Sequence, residues 1–212
     1  MPSSTAIKEF FERYYWKQQA SKNQDLKHDH YVYFFTEYFD LSADFYSQKR
    51  ILDIGCGPRG SLEWASMTKQ RVGLDPLADY YHQLRSIPLN MELISGYSED
   101  MPFPSDHFDV VAAFNALDHV EDLTKTCREI ERVIKPGGLF LFIVDIHFLP
   151  TLTEPQCLNW NFIEDYFPGR VTLFSQRLKR KNPFKIYTNI KAQIPIRGRR
   201  FQNGILTGKI QF

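Results

Sequence analysis

Apolar residues recur with helical spacing in two stretches of the first forty residues. The second stretch runs from Tyr31 to Phe39, and the first consists of Ile7, Phe10, Phe11, Tyr14 and Tyr15. Positions i, i+3, i+4, i+7 and i+8 share one face of a helix, so the spacing predicts two amphipathic helices. Aromatic faces of this kind usually pack into a core, and we expect both stripes to be buried.

From Arg50 onward the pattern changes to short apolar runs separated by helical segments. The runs predict five strands, at residues 50–54, 71–75, 91–94, 108–114 and 139–144. The fourth run, FDVVAAF, is almost wholly apolar, as in parallel strands covered on both faces. The segments after the first, second and fourth runs, including the one that holds Leu62 and Met67, are expected to be helices. This alternation predicts a doubly wound, mostly parallel α/β sheet of Rossmann-like type.

The carboxyl ends of the five strands are expected to meet at one edge of that sheet, where ligands bind. The candidate site loops are therefore those that follow Ile54, Asp75, Ile94, Phe114 and Val144.

The last sixty residues are less regular. Residues 171–178 and 205–212 suit two strands that form an antiparallel addition to the sheet, and residues 179–203 between them have no predicted structure. A length of 212 residues suits a single domain. We divide this domain into an N-terminal helical segment at residues 1–48, a core at residues 49–150 and a basic C-terminal addition at residues 151–212.

The net charge of +1 conceals an uneven distribution of charge. Residues 166–212 contain eleven Lys and Arg residues and no Asp or Glu. Such a block indicates either a solvated face or an anionic partner: a phosphate-bearing small molecule, a lipid-linked compound at a membrane surface, or RNA. RNA is the least favoured partner, because no RNA-binding module is recognisable.

Three cysteines, at positions 56, 127 and 157, make neither a disulfide framework nor a metal-ligand spacing. We therefore expect no metal site and a reduced, cytoplasmic location. The N-terminal residues lack the apolar core of a signal peptide, and no apolar run reaches the roughly 18 residues of a membrane span.

The strongest chemical signal is the sequence LDIGCG at residues 52–57, followed by Asp75 at the end of the second strand. Glycines after a strand let the backbone approach a ligand, and an acidic residue after the second strand binds ribose hydroxyls. Gly55, Gly57 and Gly60 also satisfy a dinucleotide pattern, which leaves an oxidoreductase as an alternative. However, the carboxylate of Asp53 would repel a pyrophosphate and suits an ammonium group. S-adenosylmethionine carries a ribose and an ammonium but no phosphate.

The ordered motifs ILDIGCG, GLD, SEDMPFPSDHFDVVAAFNALDHVED and EIERVIKPGGLFLF resemble the class I S-adenosylmethionine-dependent methyltransferases, in their small-molecule branch. The resemblance spans about Arg50 to Asp145. It implies the class I methyltransferase fold, with the helices of residues 1–48 acting as a lid that brings Tyr14, Tyr15, Tyr31 or Tyr33 towards the acceptor.

The resemblance also assigns cofactor-binding residues. Asp75 corresponds to the ribose-binding residue, and the loop that holds the methionine moiety corresponds to Asp53, Gly55, Cys56 and Gly57.

The remaining cofactor contacts follow from the same resemblance. Pro76 lies where the family covers one face of the adenine, and Ser98 and Glu99 lie where it reads the adenine edge. Asn115 and Ala116 correspond to the segment beside the sulfonium. The family often has Asp where this chain has Tyr97, which leaves the adenine contacts open.

The implied activity is methyl transfer to a small-molecule acceptor, such as a hydroxyl of an anionic sugar, a lipid-linked compound or a secondary metabolite. His119 corresponds to a histidine associated with substrate binding or proton removal, and it is our candidate catalytic residue. An RNA methyltransferase and a non-catalytic interaction protein remain alternatives.

Overall fold

The computed structural model describes residues 4–22, 26, 31–85, 88–182 and 185–212. Within these ranges the helices are α1 (Ser4–Lys22), α2 (Tyr31–Phe35), α3 (Ala78–Leu84), α4 (Leu123–Val133), α5 (Phe162–Tyr166) and α6 (Ile186–Lys191). The strands are β1 (Arg50–Ile54), β2 (Gln70–Asp75), β3 (Glu92–Ser95), β4 (Phe108–Phe114), β5 (Ile134–Ile146), β6 (Val171–Leu178) and β7 (Gly204–Gln211).

The strands form one sheet in the order β3-β2-β1-β4-β5-β7-β6. Strands β1 to β5 are parallel, whereas β7 runs antiparallel to both β5 and β6. The doubly wound parallel sheet and its antiparallel C-terminal addition are thus confirmed. All five parallel strands end at one edge of the sheet.

The register of β7 brings the basic insertion to that same edge. Ile146, at the end of β5, pairs with Gly204, at the start of β7. Leu178, at the end of β6, pairs with Ile205. The connection from β6 to β7, residues 179–203, therefore emerges beside the loops that follow the parallel strands.

The sheet is buried on both faces. Successive strand residues point to opposite sides, so Leu52 and Ile54 pack in one apolar cluster and Ile51 packs in the other. Helices α4 and α5 contribute to the first cluster, and the second contains the buried aromatic residues Phe34 and Phe35. Burial on both faces explains why the central strands read as continuous apolar runs.

The segment after the glycine loop is not helical, so that prediction is wrong. Gly60 has a φ of +71°, and successive turns follow, with hydrogen bonds from Glu63 N to Gly60 O and from Ala65 N to Leu62 O. The left-handed residue ends the short 3₁₀ segment Gly57–Arg59 and sends the chain into i to i+3 turns instead of an α-helix.

The first aromatic stripe is exposed, which contradicts the expectation that it is buried. The exposed fractions are 65%, 46%, 58% and 51% for Phe10, Phe11, Tyr14 and Tyr15. Helix α1 instead turns its charged face towards the protein, where the buried Lys8 pairs with Glu121 at 2.6 Å. The second stripe is buried at Phe34, Phe35, Tyr38 and Phe39, as expected. Helical spacing defines a stripe but does not decide which face of a helix packs.

Among the described residues, no helix combines the length and the apolarity needed to cross a bilayer.

Packing of β7 on β5 leaves no room for a side chain at Gly208. A Cβ built there would lie 2.4 Å from Cε1 of Phe142. We expect Gly208→Ala to lower the free energy of unfolding by about 1–3 kcal/mol, because a packed ring must move. Urea denaturation measures this, with Ser175→Ala, at the exposed partner of Gly208 on β6, as the control. Equal loss in both variants would contradict the packing argument.

Candidate functional site

The glycine loop after β1 is in close contact with the loop after β4. Gly55 has a φ of +65°, and a Cβ built on it would lie 2.5 Å from the Cβ of Ala116. A side chain at Gly55 is excluded both by backbone strain and by this contact. Beside it, Asn115 also has a positive φ, and its backbone N–H donates to Ile143 O at 2.6 Å. The predicted methionine and sulfonium segments are thus adjacent.

Two carboxyl groups are buried at the ends of β1 and β2. Asp53 accepts a hydrogen bond from the hydroxyl of Ser61. Asp75 accepts hydrogen bonds from Gly57 N at 3.0 Å and from Leu77 N at 2.9 Å. Burial raises the pKa of Asp53 to about 7 and that of Asp75 to about 6. A ligand that brings an ammonium group or hydroxyl donors would stabilise their ionised forms.

Backbone and side-chain partners within the protein hold the residues predicted for the adenine edge. The hydroxyl of Ser98 lies 2.9 Å from that of Thr126. Glu99 Oε1 accepts from the backbone amides of Glu121 and Asp122, at 2.7 and 3.1 Å. Glu99 therefore organises the loop before α4, and its contact with an adenine stays a prediction. The same holds for Pro76, which is exposed after β2.

Helix α1 lies across these loops. A Cβ on Gly57 would come within 3.2 Å of the ring of Trp16, and this ring packs edge-to-face on Tyr81 with 6.1 Å between centroids. The guanidinium of Arg59 lies 5.3 Å from the centre of the Trp16 ring. Tyr97 donates from its hydroxyl to Glu9 at 2.6 Å. Helix α1 thus contacts the loops after β1 and β3 and helix α3, and its role as a lid stays a prediction.

Sequence reasoning did not identify Tyr187, which α6 brings to the site from the basic insertion. Its ring lies 5.9 Å from that of Tyr31, and their hydroxyl groups share a hydrogen bond. Burial and the nearby Asp53 raise the pKa of Tyr187. The pairing of β6 with β7 determines this position, because it places the insertion at the edge of the sheet where the parallel strands end. Of the tyrosines expected to face the acceptor, Tyr31 lies at the site, whereas Tyr14 and Tyr15 are exposed on α1.

His119, in the loop after β4, faces helix α1. Its Nδ1 is 3.3 Å from Glu12 Oε1, and its Nε2 is 4.0 Å from Asp118 Oδ1. Burial alone would lower the pKa of His119, but the carboxylates of Asp118, Glu12 and Glu154 outweigh it and raise the pKa to about 9. A protonated imidazole cannot accept a proton. His119 could act as a base only if another cation took the place of its proton beside these carboxylates, so its role as a base stays a prediction.

The curated proteins that this chain resembles include several methyltransferases. Residues 52–142 match the family described as a methyltransferase domain. The chain is 32% identical over 142 residues to an uncharacterised methyltransferase, YcgJ of Bacillus subtilis. The aligned region covers 61% of this chain and 54% of YcgJ. It is 30% identical over 132 residues to a sterol 24-C-methyltransferase of Pneumocystis carinii, covering 58% of this chain and 33% of the relative. The match therefore spans about half or less of each relative.

The fold comparison agrees with the order of motifs. The crystal structure of YcgJ superimposes with a TM-score of 0.58 and 19% identity, over 87% of this chain and 97% of the other. The sheet, the glycine loop and Asp75 occur in the order that the resemblance implied. Residues 52–142 are therefore similar to a methyltransferase domain, and the chain has the fold of the methyltransferase structures on which it superimposes.

Proposed function

We propose that this chain transfers the methyl group of S-adenosylmethionine to a small lipid-like acceptor at an anionic lipid surface. The single observation that carries the cofactor part is the glycine loop, with the buried carboxyls of Asp53 and Asp75 beneath α1. The acceptor part rests on the chemistry of the surface beside that loop.

The residues at the strand ends fit the cofactor. Asp53 suits the ammonium group, Asp75 suits the ribose hydroxyls, and the Gly55 backbone leaves room for close approach. Bound there, S-adenosylmethionine supplies an electrophilic methyl group. The protein contributes alignment, and α1 excludes water from the loops that it covers.

The surface at the ligand edge is both apolar and basic. Phe148, Leu149 and Leu152, in the loop after β5, are exposed, and Phe148 packs on the exposed Phe201 with 6.2 Å between ring centres. Exposed arginines flank Phe201 at positions 197, 199 and 200. Aromatic and aliphatic side chains beside arginines are typical of surfaces that contact anionic lipid headgroups. A sterol methyltransferase among the relatives supports an apolar acceptor.

Not every basic residue of the tail belongs to this surface. Arg180 forms an ion pair with the buried Asp145, and Lys209 is buried with its ammonium 2.5 Å from Phe39 O. Arg170 lies 3.3 Å from Glu131. These side chains already have partners within the protein, so a test of the surface should not replace them.

Cofactor binding should weaken as the pH falls. The ionised form of Asp53 binds the ammonium, and its pKa of about 7 means that protonation competes at lower pH. We expect the affinity for S-adenosylhomocysteine to fall about tenfold from pH 8 to pH 6, as measured by calorimetry. Asp53→Asn should remove most of this dependence. An affinity that is independent of pH in the wild type would show that Asp53 does not bind the ammonium.

Stability of the free protein should change in the opposite sense. The folded state retains protons on Asp53 and Asp75 that the unfolded chain releases, so their contribution to stability decreases as the pH rises from about 4 to 7. A chemical-denaturation series over this range, compared with that of Asp53→Asn, isolates the contribution of one group. A series that is parallel in the two proteins would contradict the raised pKa.

The arginine surface should bind anionic vesicles. We expect replacement of Arg197, Arg199 and Arg200 by Gln to weaken binding to phosphatidylserine vesicles about 100-fold at low salt, at about 1 kcal/mol for each residue. Affinity for S-adenosylhomocysteine should not change. Lys69→Gln with Arg128→Gln, on exposed positions elsewhere, is the control. Unchanged vesicle binding, or a preference of the wild type for RNA over vesicles, would exclude the lipid surface.

Activity is tested by offering labelled S-adenosylmethionine with a lipid extract or with RNA. We expect label in the organic fraction, and we expect His119→Gln to lower turnover about 100-fold with little change in affinity for S-adenosylhomocysteine, because His119 lies on the acceptor side. Label in RNA would support the alternative, and full activity of His119→Gln would remove His119 from the acceptor chemistry.

A further inference from the structure

Four potential metal ligands converge where β4 and β5 end. Asp118 and His119 follow β4, His147 follows β5 directly, and Glu154 lies in the next loop. One ligand atom from each of Asp118, His119 and Glu154 lies within 4.8 Å of the others. His147 Nε2 lies 3.9 Å from Glu154 Oε2. The four come from three separate segments of the chain, which explains why no spacing in the sequence indicated them.

Asp118 lacks the partners that a buried carboxylate needs. Its side chain is fully buried, and neither oxygen has a hydrogen-bond partner among the described residues. The nearest imidazole nitrogen, of His119, is 4.0 Å away. A buried carboxylate without hydrogen bonds is strongly unfavourable unless a cation compensates it.

The hydrogen bond of His147 indicates which nitrogen is free to bind. Nδ1 lies 2.9 Å from the carbonyl oxygen of Leu149. A carbonyl only accepts, so Nδ1 carries a hydrogen, and Nε2 is the nitrogen left to bind an ion. This Nε2 is buried and has no hydrogen-bond partner within the described part of the chain. It faces the carboxylate of Glu154 at 3.9 Å, beyond hydrogen-bond distance.

His119 shows the same arrangement. Its Nδ1 lies against the carboxylate of Glu12 on the lid, and its Nε2 is directed at Asp118. Histidines that bind metals usually donate one ring N–H to a carboxylate or a carbonyl and ligate through the other nitrogen. Both histidines of this cluster therefore have an outer partner and an inward nitrogen.

We propose that Asp118, His119, His147 and Glu154 bind a divalent first-row transition metal ion. Two imidazoles with two carboxylates favour such an ion over Mg²⁺ or Ca²⁺, which prefer oxygen ligands. Ligands about 2.1 Å from one ion lie roughly 3–4 Å apart. Small side-chain rotations would bring Asp118, His119 and Glu154 to such separations, whereas His147 joins the set through its 3.9 Å approach to Glu154.

The ion would lie beside Asn115 and Ala116, and there it would hold an oxygen of the acceptor. Only this last role rests on the proposed function. The ion-binding role stands on the four side chains, and it is tested without cofactor or acceptor.

Cobalt binding tests the proposal directly. Chelator-treated protein is titrated with Co²⁺ and followed by its visible absorption, and competition with Zn²⁺ gives the affinity. We expect one ion per chain. His147→Gln and Glu154→Gln should each weaken binding by at least about 100-fold, and Glu12→Gln by about 10- to 100-fold, as for partners that orient a ligand. His82→Gln, at an exposed histidine of α3, should bind like the wild type.

Circular dichroism and the affinity for S-adenosylhomocysteine separate the possible failures. Variants that keep the wild-type spectrum and cofactor affinity but lose Co²⁺ support the site. A wild type that binds cofactor but no Co²⁺ at millimolar concentration overturns the metal site and leaves the methyltransferase proposal intact. Variants that bind Co²⁺ as tightly as the wild type would also overturn it, since the ion would then lie elsewhere.

Discussion

The structure depends on how buried negative charge is held at one edge of the sheet. Asp53 and Asp75 lie at the ends of β1 and β2, Asp118 lies in the loop after β4, and each is less than a tenth exposed. Burial disfavours their ionised forms, which raises the pKa of all three carboxyls. The site is therefore prepared for ligands that bring positive charge or hydrogen-bond donors.

Helix α1 is placed by the same constraint. Its inward face carries Lys8, which donates to His119 O at 2.7 Å and pairs with Glu121, and Glu12, which faces His119. These polar contacts act together with the packing of Trp16 on Tyr81, and they leave the aromatic stripe of Phe10, Phe11, Tyr14 and Tyr15 exposed. Polar contacts of this kind cost less to open than a dry apolar core, which suits the lid role that the proposed function gives to α1.

Much of the fold followed from the sequence, because parallel strands buried on both faces give continuous apolar runs at the right spacing. The glycine loop and Asp75 were predicted to lie together at the strand ends, and they do, while their contacts with a cofactor stay predictions. The burial of α1 did not, since period alone does not choose a face. Tyr187 and Glu154 were missed because they reach the site through irregular segments whose positions depend on the register of β7 and on the loop after β5.

Calorimetric titration of the wild type and of Asp75→Asn with S-adenosylhomocysteine at pH 8 tests the central claim most directly. The account predicts one binding site in the wild type and a loss of at least about tenfold in affinity in the variant, because a charge-assisted hydrogen bond to the ribose becomes a neutral one. No binding by the wild type, or equal affinity in the variant, would contradict a cofactor held at the ends of β1 and β2.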